Sequence, residues 1–249
     1  MIQEPLLTIA IPTYNRLPYL KDLLPELIRQ CQPYNEIEIL VKDNDSVDGT
    51  WSYLCDMKRH NIRVDTNYSN VGGEENCIRC VEEARGEYVW IFPDDELLCP
   101  NGIATAISFL KEHRCDLILM GIGEGKDNWY GTYQEFIDES KPTTIINQAF
   151  LPSNIFRKRL FDTTVARDHS ISIFDRNYGQ FTLAYALAGN LFASGGSGWS
   201  GVDTVCQLNN AKVYHVRSKR APPSVKLRYI RLKYIELLLY LGVPYPKIL

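Results

Sequence analysis

An alternation between two hydrophobic periods over the first 120 residues constrains this chain more than any other feature. Residues 6–11 are a short apolar run with β-branched members that Pro12 stops, the pattern of a buried strand. Residues 19–30 then carry Leu20, Leu23, Leu24, Leu27 and Ile28 on one helical face. The exchange recurs: a strand at 36–41, a helix from Asp48-Gly49-Thr50 to about 60, a short strand at 62–65, a helix at 74–85, a strand at 87–92, a helix after Pro100 and a strand near 116–121. Gly86 is positioned to cap the helix before it. Such alternation predicts an α/β domain, with a mostly parallel central sheet and helices on both faces.

In sheets of this kind ligands bind beyond the carboxyl ends of the strands. Three polar clusters fall there: Thr13-Tyr14-Asn15-Arg16, Asp43-Asn44-Asp45-Ser46 and Asp94-Asp95-Glu96. Tyr14 can stack on a base and Arg16 can reach a phosphate; the same residues also read as a loop and helix cap. Asp43 is either a turn former or an acceptor for base N–H or ribose hydroxyls. Three adjacent acids repel one another unless a cation or a hydrogen-bonded ligand compensates them. Carboxylates suit hard cations such as Mg2+ or Mn2+, which commonly complete their shells with substrate phosphates. Alone the triplet reads as a solvated turn; directly behind Tyr88-Val89-Trp90-Ile91-Phe92 it reads as a ligand site.

The bulk properties narrow the class. A chain of 249 residues with 45% hydrophobic and 23% charged residues can bury a core of one large domain. A net charge of −3 leaves no global footprint for nucleic acid. Seven irregularly spaced cysteines point to a reduced, cytoplasmic protein rather than a disulfide scaffold. The start carries no basic n-region, and no apolar run approaches the roughly 20 residues that span a bilayer, so neither secretion nor a transmembrane anchor is expected. Cys77 and Cys80 form a CxxC inside a predicted helix with no second pair, which argues against zinc. Gly121 to Lys126 lacks the spacing of a phosphate loop.

Beyond residue 125 the pattern weakens. Residues 127–144 read as loop or edge hairpin, 178–191 as a helix, and 194–201 as a glycine-rich lid or slack loop. Residues 225–241 set Lys226, Arg228, Arg231 and Lys233 among leucines, isoleucines and tyrosine. This basic amphipathic helix fits an anionic membrane surface or packing on the domain or on another subunit.

The segments IAIPTYNR, ILVKDNDSVDGT and NVGGEEN…ARGEYVWIFPDDELLCP, in that order and spacing, resemble the nucleotide-binding half of the GT-A glycosyltransferases. Within these, the resemblance is to family 2 and its bacterial enzymes of O-antigen and lipopolysaccharide synthesis. It covers residues 6–120. It implies a GT-A, Rossmann-like fold, a nucleotide-sugar donor, Mn2+ or Mg2+, and a glycan or lipid-linked glycan acceptor. Residues 1–120 become the nucleotide-sugar-binding half, 121–220 the acceptor half, and 221–249 a basic amphipathic helical tail; a lipid-linked acceptor would make docking of 225–241 on the cytoplasmic face of the inner membrane useful.

Position by position, the resemblance implies that Pro12 and Tyr14 line the base, with Thr13 and Arg16 beside them on the nucleotide. Asp43 matches the acid on base or ribose, Asp94 the acid facing the ribose, and Asp95 the metal ligand of a DXD-like motif. Pro93 stands where that motif often begins. The Glu-Asp pair that supplies the family's general base falls on Asn177-Tyr178, which leaves Asp175, ahead of Asp168, as the base of an inverting transfer. His215 matches a late histidine that completes the metal site in some relatives. Two rival readings are a sugar-1-phosphate nucleotidyltransferase, which should carry glycines at 12–16, and a non-catalytic nucleotide- or sugar-binding protein.

Overall fold

The computed structural model describes residues 4–60, 62–121, 126–141, 151–161, 163 and 167, and the backbone of 205–208 and 214–215. Fifteen elements follow in order: β1 (Leu7–Thr13), α1 (Leu17–Cys31), β2 (Ile37–Asp43), α2 (Thr50–Met57), β3 (Arg63–Thr66), α3 (Gly73–Glu83), β4 (Tyr88–Ile91), β5 (Leu97–Leu98), α4 (Gly102–Glu112), β6 (Leu117–Met120), β7 (Asn128–Tyr130), α5 (Tyr133–Glu139), β8 (Asn154–Arg157), β9 (Val205–Leu208) and β10 (Tyr214–His215). The large sheet has the order β3-β2-β1-β4-β8-β6-β9-β7, and β5 pairs with β10 in a separate ribbon. Strands β3, β2, β1 and β4 are mutually parallel. Strand β8 then runs antiparallel between β4 and β6, and β7 antiparallel along β9. The sheet is thus parallel in its first half and mixed in its second.

Burial explains the central strands. Strand β1 has helices on both faces, so Leu7, Ile9, Ala10 and Ile11 are all fully buried and the segment reads as a continuous apolar run. Helix α1 lays Leu20, Leu23, Leu24 and Leu27 into the same core, each side chain contributing about 1.5–3 kcal/mol. Trp90 on β4 is fully buried. Its indole donates to the Pro152 carbonyl at 3.0 Å and its ring meets Phe92 edge-on at 5.2 Å, which ties β4 to the segment entering β8.

Three expectations change. Gly86 is not a helix cap: α3 ends at Glu83 with Ala84 in the cap position. A Cβ on Gly86 would stand 2.5 Å from the Thr8 backbone nitrogen, so glycine is needed for close approach to β1. Residues 127–144 hold an edge strand, as expected, but also helix α5. Its start is fixed by Thr132, whose hydroxyl accepts from Glu135 N, while the Glu135 carboxylate accepts from Gly131 N, a variant of the capping box. Cys31, Cys55, Cys77, Cys80 and Cys99 are free, whereas Cys115 is disulfide-bonded, which departs from the fully reduced reading. The helices read at 178–191 and 225–241 and the glycine-rich stretch at 194–201 lie outside the described residues.

Candidate active site

The strand order reverses at β1. From it the chain proceeds to β2 and β3 on one side and to β4 on the other, and the crevice outside such a switch point is where open α/β sheets bind ligands. The register sets the carboxyl ends in a row: Thr66 beside Asp43, and Asp43 beside Thr13. With neighbouring strands about 4.8 Å apart, Asp43 is about 10 Å from the chain leaving β4, room for a base at one end and phosphates at the other.

Asp43 is buried and held without a cation. The Ser46 hydroxyl donates to Oδ1 at 2.5 Å and the Ser46 amide to Oδ2 at 3.1 Å. The Thr66 hydroxyl shares its proton between Asp43 Oδ2 and the Asn67 carbonyl, both at 3.2 Å. The loops after β1 and β2 are laced together above it: Asn15 N donates to Ser46 Oγ and Val47 N to Asn15 Oδ1, each at 2.8 Å. Asn15 and Asp45 take left-handed backbone at φ 53° and 65°, a region short polar side chains tolerate best. Strain of this kind persists where surrounding structure over-determines it, and it clusters at ligand sites.

An asparagine network, which the sequence reading missed, supports this end of the sheet. Asn67 Nδ2 donates to Asn44 Oδ1 and Asn76 Oδ1 at 2.9 and 2.8 Å. Asn44 Nδ2 donates to Asn70 Oδ1 and to the Gly72 carbonyl, and Asn76 Nδ2 to the Lys42 carbonyl at 3.1 Å. The three buried amides lock the ends of β2 and β3 to the start of α3. Asparagines at 44, 67, 70 and 76, three of them just beyond predicted strands, were the available signal.

The acid triplet separates into different environments. Asp94 is buried and accepts the Thr13 hydroxyl at 2.7 Å. Burial pushes its carboxyl up to about 7, against the opposing pull of the Thr13 hydrogen bond and the Arg16 charge and with help from neighbouring Asp95. Thr13 is therefore a support for Asp94. Glu96 is buried as well. Asp95 is the most exposed of the three, and the Arg16 guanidinium stands 3.8 Å from its Oδ2 while lying 5.1 Å over the Tyr19 ring. Among the described residues no group of three or more His, Cys, Asp or Glu is disposed to hold a metal ion. One accessible carboxylate fits a hard cation that takes its remaining oxygens from phosphates and water, and it does not fit a closed protein cage.

The remaining candidates are distributed as follows. Pro12 lies opposite Lys42 in the β1–β2 register, and Tyr14 projects partly exposed just beyond Thr13. The backbone of His215 pairs with Leu97, two residues past Asp95. Asp175 lies outside the described residues. Cys77 and Cys80 occupy the buried face of α3, where burial holds Cys77 up at about 12 and Cys80 well above the ordinary thiol range, so both are inert as nucleophiles. Another concavity, lined by Glu87, Arg157, Lys158, Arg159 and Phe161, lies at the amino end of β4, away from these acids.

The model of glycosyl transferase family 2 matches residues 8–176. The chain belongs to that family. Its fold is that of the GT-A members of family 2: Staphylococcus aureus TarS, residues 1–349 in complex with UDP, superposes with a TM-score of 0.66 at 18% identity, covering 96% of this chain and 67% of that one. A Pyrobaculum calidifontis mannosyltransferase in complex with GDP-Man and Mn2+ gives 0.60 at 15% identity, covering 98% and 67%. In sequence, this family 2 chain is 34% identical over 128 residues to the abequosyltransferase RfbV of Salmonella typhimurium, 45% of this chain and 38% of that protein. It is 26% identical over 168 residues to the TarS poly(ribitol-phosphate) beta-N-acetylglucosaminyltransferase, 66% of this chain and 29% of that protein. The chain thus spans well under half the length of these curated relatives.

Proposed function

We propose that this chain transfers a sugar from a nucleoside-diphosphate donor to a hydroxyl of a glycan or lipid-linked glycan, in the synthesis of a bacterial surface polysaccharide. The observation that carries this reading is the row of carboxylates at the β1/β4 switch point: Asp43 and Asp94 buried on neutral donors, Asp95 accessible beside Arg16. Family membership favours sugar transfer over nucleotidyl transfer, and the similarity to an abequosyltransferase and a poly(ribitol-phosphate) beta-N-acetylglucosaminyltransferase supports a surface glycan as product.

In this reading Asp43 accepts a base N–H or ribose hydroxyl, Asp94 accepts from the ribose, and Tyr14 stacks on the base above Pro12. Arg16 binds a diphosphate oxygen. Asp95 would hold Mn2+ or Mg2+ together with the donor phosphates, with His215 of β10 as a further ligand. A divalent cation there supplies neutralisation of the charge that grows on the leaving diphosphate. Asp175 takes the proton of the attacking hydroxyl, and the anomeric centre inverts. The basic residues at 225–241 bring the protein to the cytoplasmic face of the membrane; among the described residues no helix is long and apolar enough to cross one.

The test is release of nucleoside diphosphate from UDP-, GDP-, CDP- and dTDP-sugars with Mn2+, in the presence of bacterial lipid-linked saccharides. One donor class should turn over and extend the acceptor. Binding of a donor with no turnover would move the chain to a non-catalytic role, and release of sugar 1-phosphate would mark a nucleotidyltransferase.

A further inference from the structure

The asparagine network behind Asp43 runs in one direction and ends on a single oxygen. Main-chain groups fix its outer members. Asn76 Nδ2 donates to the Lys42 carbonyl at 3.1 Å, which turns Asn76 Oδ1 toward Asn67. Asn44 Oδ1 accepts from Val71 N at 3.0 Å, while its Nδ2 donates to Asn70 Oδ1 and the Gly72 carbonyl. Asn67 stands between two acceptors and presents Nδ2 to both, at 2.9 and 2.8 Å. Its Oδ1 therefore faces α3 and needs a donor that neither Asn44 nor Asn76 can give. Asn67 is buried, so leaving that oxygen without a partner would carry the full cost of its desolvation.

Arg79, on α3, supplies the donor: its Nη1 donates to Asn67 Oδ1 at 2.9 Å. A guanidinium only donates, so it fits this place and no other polarity of Asn67. Glu75, one turn back on the helix, holds the other side of Arg79, accepting from Nε at 2.9 Å. Glu75 is itself gripped by Arg167, whose Nε and Nη2 donate to its two oxygens, each at 2.9 Å. Arg167 forks onto Glu82 as well. An isolated surface pair would contribute little, but a network of bidentate contacts keeps its geometry. Asn67 is also where the network meets the site. Its N donates to the Asp43 carbonyl at 3.0 Å, and Thr66, the residue before it, donates to the Asp43 carboxylate. Displacing Asn67 thus disturbs the main chain and the side chain of Asp43 together.

We propose that Arg79 is a positioning residue for donor binding: it acts without touching the donor, by closing the amide network that holds Asp43 in place, and Glu75 keeps it aimed. This rests on the donor reading given above.

The experiment is titration calorimetry with Mn2+ and UDP, GDP, CDP and dTDP on wild type, Arg79→Met, Arg79→Lys and Glu75→Ala, each held below its own melting temperature. Arg79→Met keeps the apolar stem and loses every donor. Its affinity for the preferred nucleotide should fall roughly three- to thirtyfold. Arg79→Lys keeps a donor and should recover most of that loss. Glu75→Ala releases one side of Arg79 and should show a smaller loss in the same direction. Charge alone predicts the opposite sign there, because removing an acid favours an anionic nucleotide, so this variant decides the question even where Arg79→Met does not fold. Unchanged affinity in Arg79→Met, a loss that Arg79→Lys does not relieve, or a gain in Glu75→Ala would overturn the proposal, while binding by wild type leaves the donor reading intact. Wild type that binds none of the four nucleotides would overturn the donor reading and this inference together.

Discussion

The two ends of the sheet treat buried acids differently. At the amino end of β4 and β6, Asp116 lies between Arg157 Nε at 2.8 Å and Arg159 Nη2 at 2.9 Å, Arg157 also meets Glu87, and Lys158 donates to the Glu82 and Ala84 carbonyls that close α3. Charge there is matched within the protein. At the carboxyl ends, Asp43 and Asp94 are equally buried but rest on serine and threonine donors, and Asp95 has its arginine at a looser 3.8 Å. One end is electrostatically complete and serves stability. The other rests its buried acids on neutral donors with a single loosely placed arginine, which costs stability and suits a ligand that brings protons to share or a cation.

Four substitutions can break or sharpen this contrast. The largest effect is expected at the carboxyl end: Asp95→Ala should lower sugar transfer on the order of 10²- to 10³-fold with little change in melting temperature, read by nucleotide release and calorimetry. At the amino end the pattern reverses. Asp116→Ala leaves Arg157 with Glu87 alone as its acid partner, and should cost about 1–3 kcal/mol in urea unfolding while nucleotide affinity of the folded protein is kept. Asp43→Asn should fall between, costing about 1–3 kcal/mol because the Ser46 and Thr66 donors lose a charged acceptor, and it should weaken nucleotide binding as well.

The smallest effect carries a sign. Burial raises the Asp94 carboxyl from 3.8 to about 7, so the folded state binds its proton more tightly than the unfolded chain. The stability this contributes is complete below about pH 4 and is lost as pH rises through about 7. Asp94→Asn, which cannot ionise, should gain on wild type between those values and be more stable at pH 8 by about 1 kcal/mol or more, while binding donor less well. A flat difference in unfolding free energy from pH 4 to pH 8 would show that Asp94 is not desolvated as described.

Much of the first half was legible because each element advertised itself twice, by period and by punctuation. Pro12 marked the end of β1 to within one residue, the strand running on through Thr13, Leu20 to Leu27 marked the buried stripe of α1, and the acids sat where the topology collects ligands. Asp94 and Asp95 could be told apart only in three dimensions: adjacent in sequence, they differ because Thr13, 81 residues away, reaches one and Arg16 approaches the other. The Asn44, Asn67 and Asn76 network likewise depends on which strand ends become neighbours. Gly86 carried its signal as a glycine, but the backbone it must clear belongs to β1, remote in sequence. Helix α5 was readable from Thr132-Tyr133-Gln134-Glu135, yet it is too short to show a hydrophobic period.

Titration calorimetry of UDP, GDP, CDP and dTDP, with and without Mn2+, on wild type, Asp95→Ala and Asp116→Ala tests most directly whether the carboxyl end is the donor site. One nucleotide should bind wild type and Asp116→Ala only when Mn2+ is present, and should fail to bind Asp95→Ala. Metal-dependent binding that survives in Asp95→Ala, or that is lost in folded Asp116→Ala, would contradict the division between the two ends.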